Sequence, residues 1–162
     1  MLTLRSAKPN EAAALTELCL RSKAAWGYDD EFMLACRNEL TLTPEDICTS
    51  DVHVAEADGR VIGVAQIALS GKVAALDKLF VDPGSLRLGA GRKLFAWAKT
   101  IARQGGATSL VIESDPDAAP FYRHMGATDD GVVLSGSVPG RFIPRLRIDL
   151  HVPPRDGRSI RD

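Results

Sequence analysis

Apolar and polar positions change period several times along the chain, and each change marks an element. Leu2–Ser6 (LTLRS) alternates residue by residue, the period of a half-buried strand. From Pro9 and Asn10 the spacing lengthens, with Leu15, Leu18 and Cys19 on one helical face. Asp29 and Asp30 stand as N-cap residues before a second helix that carries Phe32, Cys36 and Leu40 at i, i+4 and i+8. Thr43-Pro44-Glu45-Asp46 has the form of a short capping-box turn. Three strands follow. Val52–Glu56 and Val61–Leu69 flank Asp58-Gly59, a strong two-residue hairpin signal, and Val61–Leu69 and Lys72–Asp82 flank Ser70-Gly71. Together they predict an antiparallel meander.

Past the meander, a glycine-rich loop (Gly84–Gly91, GSLRLGAG) leads into a helix striped by Leu94, Phe95, Ala98, Ile101 and Ala102 and closed by Gly105-Gly106. Trp97 falls on the side away from Leu94 and Ile101, where the sheet or a second copy would meet it. Ser109–Ile112 (SLVI) reads as a buried strand continuing through Glu113. Asp117 is placed to cap a helix with Pro120 in its first turn and Gly126 at its end. Two last strands, about 131–138 and 141–150, are separated by Pro139-Gly140. The order β-α-α-β-β-β-α-β-α-β-β predicts an α/β fold, one mixed sheet with helices on its faces.

Composition narrows the class. The 162 residues, 45% hydrophobic and 25% charged, are those of one ordinary globular domain, with no repeat and no run long enough to cross a membrane as a helix. That domain is expected over residues 1–150, followed by a flexible tail, His151–Asp162, whose two prolines and alternating charges have nothing to bury. No signal-like apolar stretch builds at the N-terminus. Twenty basic residues against 21 acidic ones leave no excess for a phosphate backbone, so neither nucleic acid nor a membrane is the expected partner. Cys19, Cys36 and Cys48 read as reduced core or near-core thiols of a cytoplasmic protein. His53, His124 and His151 have neither the spacing nor the neighbours of a metal site, and none is expected.

A strand, a glycine turn and a helix make an anion site, because the turn exposes backbone N–H groups and the helix start carries about half a positive charge. Two nucleotide motifs fail here. Gly84 and Gly89 have the spacing of a P-loop, but Ala90-Gly91 stands where Lys and Ser or Thr are needed. Gly89-x-Gly91 lacks the third glycine of a dinucleotide fingerprint.

Two blocks do fit a known pattern. The run Asp77-Lys78-Leu79-Phe80-Val81-Asp82-Pro83, continuing through Leu86-Arg87-Leu88-Gly89-Ala90-Gly91-Arg92, resembles the L-[YF]-V-x-P strand and [QR]-x-x-G-x-[GA] pyrophosphate loop of the GNAT superfamily of acetyl-CoA-dependent N-acetyltransferases. Asp117-Ala118-Ala119-Pro120-Phe121-Tyr122 through Gly126-Ala127 resembles that family's N-A-x-x-F-Y helix. The element order agrees over about nine-tenths of the chain. One position departs: Leu86 stands where the family carries Gln or Arg, with arginine displaced to Arg87.

The resemblance implies acetyl transfer from acetyl-CoA to an amine by direct attack in a ternary complex, with no metal. It assigns the pyrophosphate to the turn of Arg87, Leu88, Gly89, Ala90, Gly91 and Arg92, and the pantetheine arm to the backbone of Leu79, Phe80 and Val81. Asp117 and Phe121 line the cofactor side. Tyr122 stands where the family's tyrosine protonates the leaving thiolate. Asp77 and Glu113 are the carboxylates that could take the amine's proton, each equally readable as a solvated or capping group. Trp26 and Tyr28 are placed to wall an acceptor pocket beside Asp29, Asp30 and Glu31, and Arg141 would suit a substrate carboxylate. Trp26 is also readable as a core anchor, and Arg141 as a turn residue. The acceptor implied is a small-molecule amine, with a protein N-terminus or lysine as the alternative within the class. A module that holds acetyl-CoA without catalysis is the alternative outside it. A homodimer through the C-terminal hairpin is the oligomer the family would suggest.

Overall fold

Seven strands form one mixed sheet in the computed structural model, which describes residues 1–150. In chain order the elements are β1 (Leu2–Ser6), a 3-10 turn (Pro9–Glu11), α1 (Ala12–Ala24), α2 (Asp30–Leu40), α3 (Pro44–Thr49), β2 (Asp51–Ala57), β3 (Arg60–Ser70) and β4 (Val73–Val81). A second 3-10 stretch (Pro83–Leu88), α4 (Ala90–Gln104), β5 (Ser109–Glu113), α5 (Ala119–His124), β6 (Thr128–Leu134) and β7 (Phe142–Asp149) complete them. The sheet order is β1-β2-β3-β4-β5-β7-β6. Every neighbouring pair is antiparallel except β4 and β5. No helix among the described residues is long and apolar enough to cross a membrane.

The alternation of the sequence sorts the core onto two faces. Val52, Val54 and Val64 point at α1, α2 and α3, packing with Leu15, Leu18, Cys19, Cys36 and Leu40. Ala55, Ala65 and Ile62 point the other way, onto Leu94 and Ala90 of α4, and that layer continues through Phe95, Ile112, Tyr122 and Leu146. Trp97 belongs to this packed side: its ring stacks on His53 of β2 with centroids 4.3 Å apart.

Caps form largely where the sequence places them. The Asp29 carboxylate accepts from the Phe32 N–H at 2.9 Å, and Asp30 and Glu31 fill the first turn of α2. Thr43 and Asp46 exchange the two bonds of a capping box, and the expected turn extends into the six-residue helix α3.

Three local expectations change. Asp117 does not cap α5: the N-cap is Ala118, and Asp115 instead accepts the Asp117 N–H at 2.8 Å. Pro116 separates two chemically equivalent aspartates, and the one before the proline is turned inward. Strand β6 begins at Thr128 and stops at Leu134, rather than spanning 131–138. Its turn-like Asp129-Asp130-Gly131 is absorbed by a bulge, which Gly131 permits by adopting φ 87°. Beyond Leu134 the Ser135 hydroxyl takes the N–H groups of Ser137 and Val138, ending the ladder. Cys48 is exposed, unlike the buried Cys19 and Cys36. The expected tail, His151–Asp162, lies outside the described residues.

Leu94 is fully buried and bridges α4 to the sheet, its Cδ1 lying 3.0 Å from where a β-carbon at Gly63 would sit. Leu94→Ala is expected to cost about 2–5 kcal/mol, and each kcal/mol to lower the melting midpoint by about 2–4 °C, read by thermal unfolding.

Candidate active site

Strands β4 and β5 pair for only three positions, Val73–Ala75 against Ser109–Val111. Beyond them β4 stays with β3 while β5 goes with β7, and the sheet opens into a cleft of about 760 Å³. Its walls are Leu76–Val81 on one side and Ile112–Asp115 on the other. On the cleft side, the sheet ladder no longer occupies the backbone edge of β4. Asp77 is the extra residue of a bulge, since Gln66 faces Lys78 and Ile67 faces Leu76. The bulge re-aims the strand where the cleft starts.

One end of the cleft is the glycine loop. Asp82 organises its start, accepting from the Gly84 N–H at 3.1 Å and from Arg21 at 2.9 Å, and these bonds hold its carboxyl below the ordinary range. Gly89 adopts φ 84°, a conformation glycine reaches without cost, and turns the chain into the 15-residue α4. Gly91 lies against the Phe121 ring and Val81: a β-carbon there would already sit 3.6 Å from Phe121. Of the loop residues, Leu86, Gly89, Gly91 and Arg92 line the cleft. Arg87 and Leu88 point into solvent outside it, and Ala90 is buried beneath. Leu79, Phe80, Val81, Asp117 and Phe121 also line it.

Two candidate proton-transfer groups line the same cleft. The Tyr122 ring packs edge-on against Phe95 and Phe121, and burial holds its phenol well above the ordinary tyrosine value. Asp77 opens onto the cleft yet is ringed by protein at longer range. That partial desolvation raises its carboxyl above the ordinary aspartate value; the charge of Lys78 opposes the rise and that of Glu113 adds to it. Glu113 is exposed at the end of β5, on the facing wall.

The other end is built around Asp115, a residue that sequence reasoning passed over. Its side chain is 8% exposed and takes the Tyr28 hydroxyl at 2.7 Å and the Lys23 ammonium at 3.0 Å, with Arg141 at 3.8 Å. Burial by itself would raise this carboxyl, but the bonds from Tyr28, the Asp117 N–H and Lys23 outweigh it and hold it low. Tyr28 is pushed up to about 12 by its own burial and by the carboxylate it donates to. Phe32 stacks on Tyr28 at 3.9 Å, and the Arg141 guanidinium lies 4.8 Å from the Phe32 centroid. Arg141 also donates to the Tyr28 hydroxyl at 2.9 Å, and Ser137 donates to Glu39 of α2 at 2.6 Å. The segment from Ser135 to Arg141 is thereby pinned across the cleft end.

Trp26 and Arg141 line this end, and Trp26 is half exposed rather than a core anchor. Tyr28 stands behind the wall, as the bracket that orients Arg141 and Asp115. Asp115 left no local signal, because its side-chain partners are distant in sequence: Lys23 and Tyr28 lie before α2, and Arg141 follows β6.

Known proteins place this geometry. The profile of the acetyltransferase (GNAT) family matches residues 14–127. No curated protein matches the chain in sequence. Among solved structures, the PaiA N-acetyltransferase of Thermoplasma acidophilum, in complex with coenzyme A, superposes with a TM-score of 0.75 at 17% identity, covering 92% of this chain and 99% of its own. YncA of Salmonella typhimurium, with its cofactor acetyl-CoA, gives 0.66 at 22% identity, covering 95% and 98%. A ribosomal-protein alanine N-acetyltransferase of Escherichia coli gives 0.69 at 15% identity, covering 96% and 98%. The whole described fold, from β1 to β7, is thus shared with these structures, and the profile spans the glycine loop and Tyr122. The chain belongs to the GNAT acetyltransferase family.

Proposed function

We propose that the protein is an N-acetyltransferase that moves the acetyl group of acetyl-CoA to the primary amine of a small molecule, by direct attack in a ternary complex. The observation that carries this reading is the opening between β4 and β5, with buried Tyr122 and bulged Asp77 on the same cleft. The residues fit the cosubstrate. The free edge of Leu79–Val81 offers backbone pairing to an amide-bearing arm, and the turn from Gly89 to Arg92 offers N–H groups, the start of α4 and one arginine to a pyrophosphate. The exposed Leu86 contributes no charge there, so Arg92 supplies it from within the cleft.

When bound, acetyl-CoA supplies a thioester carbon and a thiol leaving group. The protein's own residues manage two protons. An amine arrives mostly as ammonium at neutral pH. The Asp77 carboxylate takes its proton, through a water because the side chain is short, with Glu113 as the second carboxylate in reach of the cleft. Tyr122, held protonated by burial, delivers a proton to the sulfur as the C–S bond breaks. The small acceptor is supported by the pinned segment Ser135–Arg141, which narrows the end where a peptide would run.

Tyr122→Phe is expected to lower kcat by about 10²–10⁴-fold while leaving stabilisation by coenzyme A intact; full turnover would overturn the role. The base must be ionised and the Asp77 carboxyl is raised, so activity should fall with pH along a limb displaced above the ordinary aspartate value of about 3.9. That limb should vanish in Asp77→Asn. In thermal shift, acetyl-CoA or coenzyme A at 100 times its dissociation constant should add about 2.7 kcal/mol, or about 5–10 °C, and ATP nothing comparable.

A further inference from the structure

The cations Lys23, Lys78 and Arg141 line the cleft. Lys23 and Arg141 share one carboxylate, Asp115. Lys78 has a neutral partner instead: its ammonium donates to Gln66 Oε1 at 3.0 Å, and among the described residues no carboxylate pairs with it. Gln66 passes its own amide to Ser50, next to α3, and the charge of Lys78 acts on Cys19 within α1. Lys78 faces Gln66, which faces Val52, so it lies on the α1–α2 face of the sheet, where Lys23, Glu39 and Arg141 surround Cys36 of α2. Two neighbouring carboxylates line the cleft as well, each hydrogen-bonded to a neutral group. Asp46 takes the Thr43 N–H, and exposed Glu39 takes the Ser137 hydroxyl. Asp77 and Glu113 are the proton acceptors already described.

A half-buried ammonium without an ion-pair partner is costly, and a ligand anion would relieve Lys78. Among the described residues only one of Arg141's five N–H donors is hydrogen-bonded, so most of its fork is available. A guanidinium fork backed by the Phe32 ring suits a planar, bidentate group. A phosphate would look for a nest of free amides, but Ser135 already consumes those of Ser137 and Val138.

We propose that Arg141, Lys23 and Lys78 form a carboxylate subsite, so that the acceptor is an amino-acid-like molecule carrying both a primary amine and a carboxylate. This rests on the acetyl-transfer reading above. It adds a binding determinant that the reading does not require.

The test pairs each amino acid with the amine lacking its carboxylate: leucine with isoamylamine, phenylalanine with phenethylamine, methionine with 3-(methylthio)propylamine, and serine with ethanolamine. Phosphoethanolamine serves as the phosphate arm. Two readouts are taken on the full chain: thermal stabilisation of the coenzyme A-saturated protein, and acetyl-CoA-dependent release of free thiol. The acids are expected to exceed their amines in kcat/KM by about 10–100-fold, the size of a hydrogen-bonded charge contact. Lys78→Met should bring that ratio to within about threefold through KM, and Lys78→Arg should restore most of it. Stabilisation by the acids without turnover supports the subsite and overturns the enzyme reading. Turnover of amines equal to or better than the acids overturns the subsite and leaves the enzyme standing. A preference for phosphoethanolamine overturns the carboxylate assignment, and silence from every compound in both readouts overturns both.

Discussion

A parallel contact three residues long holds the two halves of the sheet together, and the site depends on its being no longer. Had β4 and β5 paired along their whole length, the edges of Leu76–Val81 and Ile112–Glu113 would satisfy each other and leave nothing for a ligand. Two local devices prevent that. The bulge at Asp77 turns β4 away, and β5 commits its far end to β7 through Ile112↔Leu146 and Glu113↔Arg145. The unmet backbone pairing is tolerable because the cleft is open to water, and it is the edge proposed to pair with an amide-bearing ligand. The apolar layers on both faces supply the rigidity that keeps this opening from collapsing.

Asp115 does for the far end of the cleft what the bulge does for its opening. A buried carboxylate without partners would be among the costliest groups in the protein; with three side-chain partners and a backbone N–H turned toward it, it becomes a fastener. It ties the end of β5, the link between α1 and α2, and the segment before β7 into one wall. The turn that holds Asp115 leads straight into α5 and Tyr122, so a single stretch of chain sets both this end of the cleft and the proposed proton donor.

Much of this was legible from local chemistry. The stripe of α4, the hairpin at Asp58-Gly59 and the glycine loop before Ala90 are written in adjacent residues, and each formed where its pattern placed it. The family motif pointed to Tyr122 and Asp77, and both line the cleft. What sequence could not rank was which of two neighbouring aspartates turns inward. Asp115 and Asp117 flank Pro116 with equal capping chemistry, and the choice is made by Lys23, Tyr28 and Arg141, which no local window contains. The start of β6 was hidden for a related reason: Asp129-Asp130-Gly131 has the composition of a turn, and only the partner strand shows that it is a bulge. Tyr28 carried the right chemistry for a pocket wall but is spent one layer back.

The same fastener has a consequence for how the molecule assembles. Its members come from positions 23, 28, 115 and 141, so the chain segments they close are among the longest in the fold. Contacts of such separation carry a large loop-closure entropy and tend to form late. The meander β2-β3-β4 can condense from neighbouring residues alone, before this end of the cleft closes. A nascent chain that has not yet released residue 141 lacks the guanidinium that joins Tyr28 and Asp115.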